Sequence, residues 1–127
     1  MVDAAGKTRL LLSVVSGQPI FQLLLADGAP AITAALDEAG HGSIKLHNPA
    51  QPGPVASLEI DDKGSHVKFD RPGGASSYLF LNNAGASGLV LTDAKGKRRF
   101  AAIVEADGGV SWQRLDDNGQ PISPLSQ

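Results

Sequence analysis

The histidines are the side chains best suited to hold a metal ion, and the sequence contains three of them, His41, His47 and His66. His41 lies between two glycines, His47 precedes an Asn-Pro pair, and His66 alternates with apolar residues beside Lys68. None of them shows the H-x-H, H-x₃-H or H-E-x-x-H spacing of zinc or iron ligands, so a site would need scattered ligands to converge. We therefore predict surface histidines, no metal site and no cofactor.

Acidic residues cluster beside glycine in two segments, 61–64 (DDKG) and 116–119 (DDNG). Carboxylate and amide oxygens are calcium ligands, but neither segment continues into the D-x-D-x-D-G loop with a distal Glu. Asp and Asn also stabilise tight turns by bonding nearby backbone, and Gly supplies the positive φ that such turns need. Turn formation explains both segments, and weak calcium binding stays open as the alternative.

A catalytic constellation is hard to assemble from these residues. The G-x-S-x-G nucleophile motif is missing, and segment 85–88 (GASG) does not supply it. A carboxylate pair for glycoside hydrolysis would have to come from Glu38, Glu59, Glu105 and the turn aspartates, none of which stands in an apolar setting that would raise its pKa. We predict no catalytic residue and no enzymatic activity. An enzyme with a site between subunits is the weaker alternative.

Lys95, Lys97, Arg98 and Arg99 form the only run of like charge. They are candidate contacts for an anionic partner, such as a phosphate, a polysaccharide or a lipid headgroup. The alternative is a solvated hairpin end whose cations discourage edge-to-edge association of sheets. The second interpretation is favoured because one short run on an acidic chain is a weak binding footprint.

Composition limits the remaining functions. The chain has 127 residues with 11 basic and 13 acidic side chains, and this net charge of −2 argues against a nucleic-acid binder. There is no cysteine, which excludes disulfides and thiol chemistry. The longest apolar run, residues 10–20, is too short and too broken to form a transmembrane segment. The length suits one domain.

The elements that position these residues repeat along the chain. Turn-type Asp or Asn residues recur at intervals of 21 to 24 residues, and a second series falls about halfway between them. Segment 2–9 (VDAAGKTR) returns as segment 92–99 (TDAKGKRR) with its Asp, Gly, Lys and Arg unchanged. The first series is Asp3, Asp27, Asn48, Asp70, Asp93 and Asp116, and the second is Asp37, Asp61, Asn82 and Asp107. Each repeat of about 23 residues is therefore predicted to be strand, turn, strand, turn.

Runs of strand length lie between the turns, and in 55–60 and 65–70 apolar and polar residues alternate. Residues 30–39 also suit a short helix, with Pro at the start and Gly40 after the end, but the phase of the repeat favours a strand. The predicted strands are 8–15, 20–26, 31–36, 43–47, 55–60, 65–70, 77–82, 88–92, 98–105 and 110–115.

Short turns between successive strands predict antiparallel neighbours. We expect an all-β fold with an antiparallel meander of about ten short strands, closed into a barrel or folded into a two-layer sandwich. A β-solenoid with one coil per repeat is the alternative. Residues 1–120 would form a single β-repeat domain, and residues 121–127 a disordered tail.

Several of these strands are apolar on both sides. In strand 20–26, Ile20 and Leu24 alternate with Phe21, Leu23 and Leu25, and strands 8–15 and 77–82 follow the same pattern. An antiparallel sheet with one wet face should alternate more cleanly. A second layer of the same chain or another subunit would have to cover the second face, so we expect a homo-oligomer or another protein partner.

Segment 89–99 (LVLTDAKGKRR), followed by 103–109 (IVEADGG), resembles a repeat of uncharacterised bacterial proteins that alternates L-x-L-x-D-x-x-G-K-x-R with a-x-L-x-V-x-x-D-G. The match extends over 89–119 and, less closely, over 2–28, while 29–88 departs from it. The resemblance implies an array of β-hairpins in a bacterial protein. It implies no activity, ligand or site residue.

The sequence thus favours a non-enzymatic structural or interaction module, and surface display or secretion is among the locations that it allows. The alternative is a carrier of a small apolar ligand in the cavity of a β-barrel, since ten strands could close around one molecule. The segment that begins at Met1 enters a repeat turn directly, so we expect no signal peptide. Cytoplasmic and exported locations both stay open.

Overall fold

The computed structural model describes residues 1–50 and 53–122, and within them ten β-strands form one antiparallel sheet. The strands lie side by side in their order along the chain, which confirms the predicted all-β meander of about ten strands. They are β1 (Leu10–Val15), β2 (Gln18–Leu24), β3 (Pro30–Leu36), β4 (Gly42–Leu46), β5 (Val55–Asp61), β6 (Gly64–Asp70), β7 (Ser76–Asn82), β8 (Ser87–Thr92), β9 (Arg98–Val104) and β10 (Val110–Arg114). The described residues contain no helix, and hence none that could cross a membrane.

The sheet is a single open layer, which corrects the expectation of a closed barrel or a two-layer sandwich. Each strand contacts only its neighbours in sequence, and β1 and β10 form the two edges. The solenoid alternative does not apply, because stacked coils pair strands in parallel whereas every pair here is antiparallel. The helix considered for residues 30–39 does not form. Strand β3 occupies this region, and its Ala34 pairs with Phe21 on one side and Ile44 on the other.

One five-residue turn recurs eight times in the described residues. The N–H of its first residue donates to the carbonyl of the fifth, and the N–H of its fourth, a glycine with positive φ, donates to the carbonyl of the first. This is a type I turn followed by a glycine bulge, whose geometry matches the twist of the flanking strands. The eight turns are 3–7, 25–29, 37–41, 71–75, 82–86, 93–97, 105–109 and 116–120.

The D-x-x-G-K-x-R segments hold their own turns together. Asp93 Oδ1 accepts the backbone N–H groups two and four residues later at 2.8 and 3.0 Å, and Asp93 Oδ2 accepts the Arg99 Nε–H at 2.6 Å. Asp3 repeats these contacts, with Arg9 Nη1 3.4 Å from Asp3 Oδ2. The residues that define the repeat therefore stabilise hairpin ends.

The two series of turn residues lie at opposite ends of the strands, because successive turns of a meander alternate between the ends. We name these ends after Asp3 and Asp37. The Asp3 end carries turns 3–7, 25–29, 71–75, 93–97 and 116–120 together with the connection between β4 and β5, and the Asp37 end carries turns 16–17, 37–41, 62–63, 82–86 and 105–109.

The register of the sheet sorts the side chains onto two unlike faces, since directly paired residues of neighbouring strands project to the same side. The side that we call the apolar face has an unbroken row through the middle of all ten strands: Leu12, Phe21, Ala34, Ile44, Leu58, Val67, Leu79, Leu89, Ala102 and Trp112. The corresponding row of the opposite side, the mixed face, is Ser13, Ile20, Ala35, Ser43, Glu59, His66, Phe80, Gly88, Ile103 and Ser111. Some strands were expected to be apolar on both sides. Their second apolar side belongs to the mixed face, where it lies among polar residues of the neighbouring strands.

The sheet has almost no buried core. Among the described residues the only buried apolar side chains are Ala86 and Ala101, and no large side chain is fully buried. At the end of the described part of the chain, Pro121 bridges to Leu115 and the Ile122 N–H donates to the Arg114 carbonyl. Residues 123–127 of the predicted tail lie outside the described residues.

A comparison of two glycines tests how closely neighbouring hairpins approach. Gly64 has φ +146°, and a Cβ added there would meet the Leu81 carbonyl oxygen and lie 2.6 Å from Asn82 Cα; Gly28 has φ +89° and open space. We expect Gly64→Ala to lower the free energy of unfolding by about 3 kcal/mol, because backbone strain and overpacking add. Gly28→Ala should cost about 1 kcal/mol from φ alone. Urea unfolding followed by circular dichroism measures both, and equal losses would contradict the tight packing at Gly64.

Candidate functional site

The apolar face is the most extensive surface feature of the described chain. Thirteen large apolar side chains that project from this face are exposed. On the mixed face, only two large apolar side chains of the strands are exposed, Leu11 and Val15. Leu58 is 51% exposed, Leu79 56% and Trp112 57%. The thirteen are Leu12, Val14, Leu36, Ile44, Leu46, Leu58, Ile60, Phe69, Leu79, Leu81, Val104, Val110 and Trp112.

The size of this face can be taken from strand geometry. Ten strands at a spacing of about 4.8 Å, each with about six residues at about 3.3 Å, give an area of about 45 by 20 Å, or about 900 Å². The largest apolar patch of a typical monomer is only about 300–600 Å² and often functional. The apolar face is therefore larger than the patch that a monomer ordinarily exposes.

A trough lies in the apolar face where it crosses β1 to β5. It has a volume of about 700 Å³, and its lining includes Leu12, Phe21, Ile44, Leu58 and Ile60. This volume falls within the range of small-molecule sites, which are mostly apolar with a few polar groups. The trough is therefore chemically suited to an apolar ligand.

The mixed face has a compact polar cluster centred on Glu59. Glu59 Oε2 lies 3.0 Å from His66 Nε2, and Glu59 Oε1 lies 3.5 Å from Lys45 Nζ. Partial burial acts to raise the pKa of Glu59, but hydrogen bonds from His66 and Ser57 and the charge of Lys45 outweigh it, so the pKa is lowered. The carboxylate is thus held in its charged form.

All three histidines were expected at the surface, but this is wrong for His66, which is only 9% exposed. Its ring centroid lies 5.1 Å from that of Tyr78, which stacks on Phe80 at 5.5 Å. Burial raises the pKa of the Tyr78 hydroxyl. The sequence places His66 and Glu59 on separate strands, and only the β5–β6 register shows that they pair.

The cluster differs from a serine nucleophile site in its connectivity. In a catalytic triad the serine bonds to the histidine and the histidine to the carboxylate. Here His66 and Ser57 both bond to the carboxylate of Glu59. The cluster therefore links strands β4 to β7 across the mixed face.

The other histidines and the acidic turns are engaged locally. His41 Nδ1 lies 3.0 Å from Asp37 Oδ2 and His41 Nε2 lies 3.2 Å from Asp62 Oδ1, and the hydrogen bond with Asp37 raises the pKa of His41. His47 Nε2 lies 3.1 Å from the Thr33 hydroxyl. Across residues 1–50 and 53–122 no group of three or more metal-ligating side chains gathers.

The predicted basic cluster splits into two parts. Arg99 is held by Asp93 and by Asp117, and these carboxylates raise its pKa. Lys95, Lys97 and Arg98 are exposed, and their side chains make no ion pair within the described part of the chain. Three of the four predicted contacts thus remain accessible at the Asp3 end.

Charge is distributed unequally between the two ends of the strands. The Asp37 end has six carboxylates against one lysine, a formal charge of −5, and the Asp3 end has eight basic against six acidic side chains, a formal charge of +2. The acidic set is Asp37, Glu38, Asp61, Asp62, Glu105 and Asp107, with Lys63 among them. The basic set is Lys7, Arg9, Arg71, Lys95, Lys97, Arg98, Arg99 and Arg114, with Asp3, Asp27, Asp70, Asp93, Asp116 and Asp117 beside it.

The fold and the site define an open single-layer antiparallel β-sheet with one exposed apolar face and strand ends of opposite charge. The chain matches no protein-family model, no curated protein and no solved structure. The apolar face, the mixed face and the charged strand ends are therefore the features that bear on function.

The turn aspartates predict how stability depends on pH. Backbone N–H bonds are the main cause that lowers the pKa of Asp3, Asp61 and Asp93 in the folded chain. The unfolded chain therefore takes up protons first as the pH falls, and the stability that these groups supply above their unfolded pKa is lost on acidification.

We expect the urea midpoint to fall between about pH 6 and about pH 3, the range over which carboxylates titrate. Asp93→Asn, which keeps an acceptor oxygen but removes the titrating charge, should show a smaller fall. Unfolding curves at several pH values test this, and a midpoint that does not change with pH would refute it.

Proposed function

We propose that the protein is a non-enzymatic structural or interaction module that binds a protein partner through its apolar face. The observation that carries the proposal is the set of thirteen large apolar side chains that are exposed on that face. Covering apolar surface contributes about 25 cal/mol per Å², so an uncovered face of this size is a strong driving force for association. Apolar faces of this extent suit protein surfaces better than single small molecules.

The ionisable groups of the mixed face support a non-enzymatic role. Lys68 Nζ lies 2.9 Å from Asp70 Oδ2, and Glu59 is shared between His66 and Lys45. The Glu59 contacts join β4, β5 and β6, and the Lys68–Asp70 pair lies within β6, so these groups pair with one another and the Glu59 contacts contribute to the stability of the sheet.

The exposed cations at the Asp3 end are a secondary feature of the proposal. Lys95, Lys97 and Arg98 could contact an acidic surface of the partner, which would steer its approach rather than supply most of the affinity. The proposal also includes the bacterial origin that the resemblance implies. It places the protein outside the cytoplasm, either displayed on the cell or secreted.

Paired charge substitutions on the two faces test the role of the apolar face. Leu58→Glu with Leu79→Glu places two carboxylates on it, and Leu11→Glu with Val15→Glu is the matched control on the mixed face. We expect the first pair to weaken protein association at least about 100-fold, because each carboxylate would be buried without a partner. The control should bind as the unaltered chain does.

The measurement is native mass spectrometry of the chain purified gently from the cells that make it. Protein complexes that depend on Leu58 and Leu79 but not on Leu11 and Val15 are the expected result. Complexes that survive the first pair of substitutions, or a bare monomer at every concentration, would contradict the proposal. Circular dichroism confirms that each variant retains the sheet.

A carrier of a small apolar ligand is the second candidate, and the 700 Å³ trough across β1 to β5 is the observation that favours it. The ligand would lie in an open trough rather than in the barrel cavity expected from the sequence, since the sheet does not close. Mass increments of a few hundred daltons on the purified chain would be its signature.

Filling the trough tests the carrier hypothesis. Ala34→Trp places an indole in the trough, and Ser77→Trp places the same group on the apolar face outside it. If the trough holds a ligand, Ala34→Trp should weaken binding of 1-anilinonaphthalene-8-sulfonate by at least about tenfold, which corresponds to the loss of about 1.4 kcal/mol. Fluorescence titration measures the binding, and equal affinities in the two variants would contradict this hypothesis.

A further inference from the structure

We infer that the partner of the apolar face is a second copy of this chain, packed face to face with the Asp37 end of each copy over the Asp3 end of the other. The inference rests on the proposed function and goes further by naming the partner and its orientation. Area, surface composition and charge each support it.

The first argument is the area that the isolated chain leaves exposed. Its accessible surface is 8607 Å². A compact protein of 13.1 kDa exposes about 6,400 Å², so each copy exposes about 2,200 Å² more than expected. Two apolar faces of about 900 Å² each would bury about 1,800 Å² on contact, which is the size of a stable protein interface. A second copy covers the face without any further component.

The second argument is the composition of the apolar face. Arg114, at the end of β10, is its only charged residue within the ten strands, and the other polar ones are Ser65, Ser77 and Ser87. Apart from Arg114 at the edge strand, two such faces can interdigitate as the inner faces of a β-sandwich do, about 10 Å apart, without burying charge. A two-fold interface brings the same patch of each copy together, as in most homodimers.

The third argument is charge, which selects the orientation. A two-fold axis parallel to the strands would place the Asp37 ends over each other, with −5 facing −5. An axis across the strands places −5 over +2. Because the layers are separated by about one Debye length, this difference acts between the copies, and charge complementarity sets orientation more than affinity.

The orientation predicts which residues meet. Ser65 lies on the apolar face at the Asp37 end of β6, and Ser77 lies on the same face at the Asp3 end of β7. With opposed ends, Ser65 of one copy faces the neighbourhood of Ser77 in the other. With like ends together, Ser65 faces the partner copy's Ser65 instead. Leu58, in the middle of β5, meets its own equivalent in either arrangement.

The absence of cysteine makes single-cysteine crosslinking a direct test. The variants are Ser65→Cys and Ser77→Cys, which are nearly isosteric, and Leu58→Cys, each treated with a short bismaleimide. We expect a solution mass of twice 13.1 kDa by light scattering. We also expect crosslinks of Leu58→Cys to itself, crosslinks between Ser65→Cys and Ser77→Cys in a mixture of mass-tagged chains, and none of Ser65→Cys to itself.

Each other outcome overturns a stated part of the inference. Self-crosslinking of Ser65→Cys would overturn the orientation, and a dimer in which Leu58→Cys does not crosslink would indicate pairing through β1 or β10 edges instead. A monomer at about 100 μM, well above the concentrations at which interfaces of this size form, would overturn the homodimer. If that monomer still binds another protein through Leu58 and Leu79, the proposed function stands, and if it binds none, both fail.

Discussion

A single-layer sheet exposes both faces of every strand, and this constraint governs the rest of the structure. Each strand contacts only its sequence neighbours, so no second layer of the described chain covers Leu58 or Leu79. The ladder pairs backbone N–H and C=O groups between neighbouring strands, but the apolar side chains gain little burial from it. The stability of the isolated chain must therefore come from pairs of neighbouring strands, because thirteen large side chains of the apolar face stay exposed.

The repeated turn explains how the two faces stay separate. A one-residue slip in any hairpin would move a strand's apolar residues to the opposite face. The turns prevent this because the carboxylate of Asp93, like that of Asp3, bonds two backbone N–H groups and an arginine in one loop. Fixed registers then bring Glu59 beside His66 on one side and Leu58 beside Val67 on the other.

The strands could be predicted because turn residues mark their ends in the sequence. The number of layers and the burial of His66 could not, because they depend on contacts between strands. Strand 55–60 was expected and Val55–Asp61 is found, because Asp61 and Gly64 mark the turn in the sequence itself. The number of layers depends on contacts between distant segments, which turn residues do not encode. The burial of His66 was missed for the same reason, since it depends on Glu59 and Tyr78 in the adjacent strands. At the candidate site, Leu58 and Ile60 were recognised as one side of a strand, but the continuity of the apolar face across all ten strands required the register.

Nearest-neighbour contact also has an evolutionary consequence. Duplication of one 23-residue unit would add a hairpin at an edge or within the series without disturbing any contact between existing strands, because each strand senses only the two beside it. Segments 2–9 and 92–99 share five of their eight residues, a similarity that such copying would produce. Each added unit would widen the apolar face by two strands, so the number of repeats sets the width of that face.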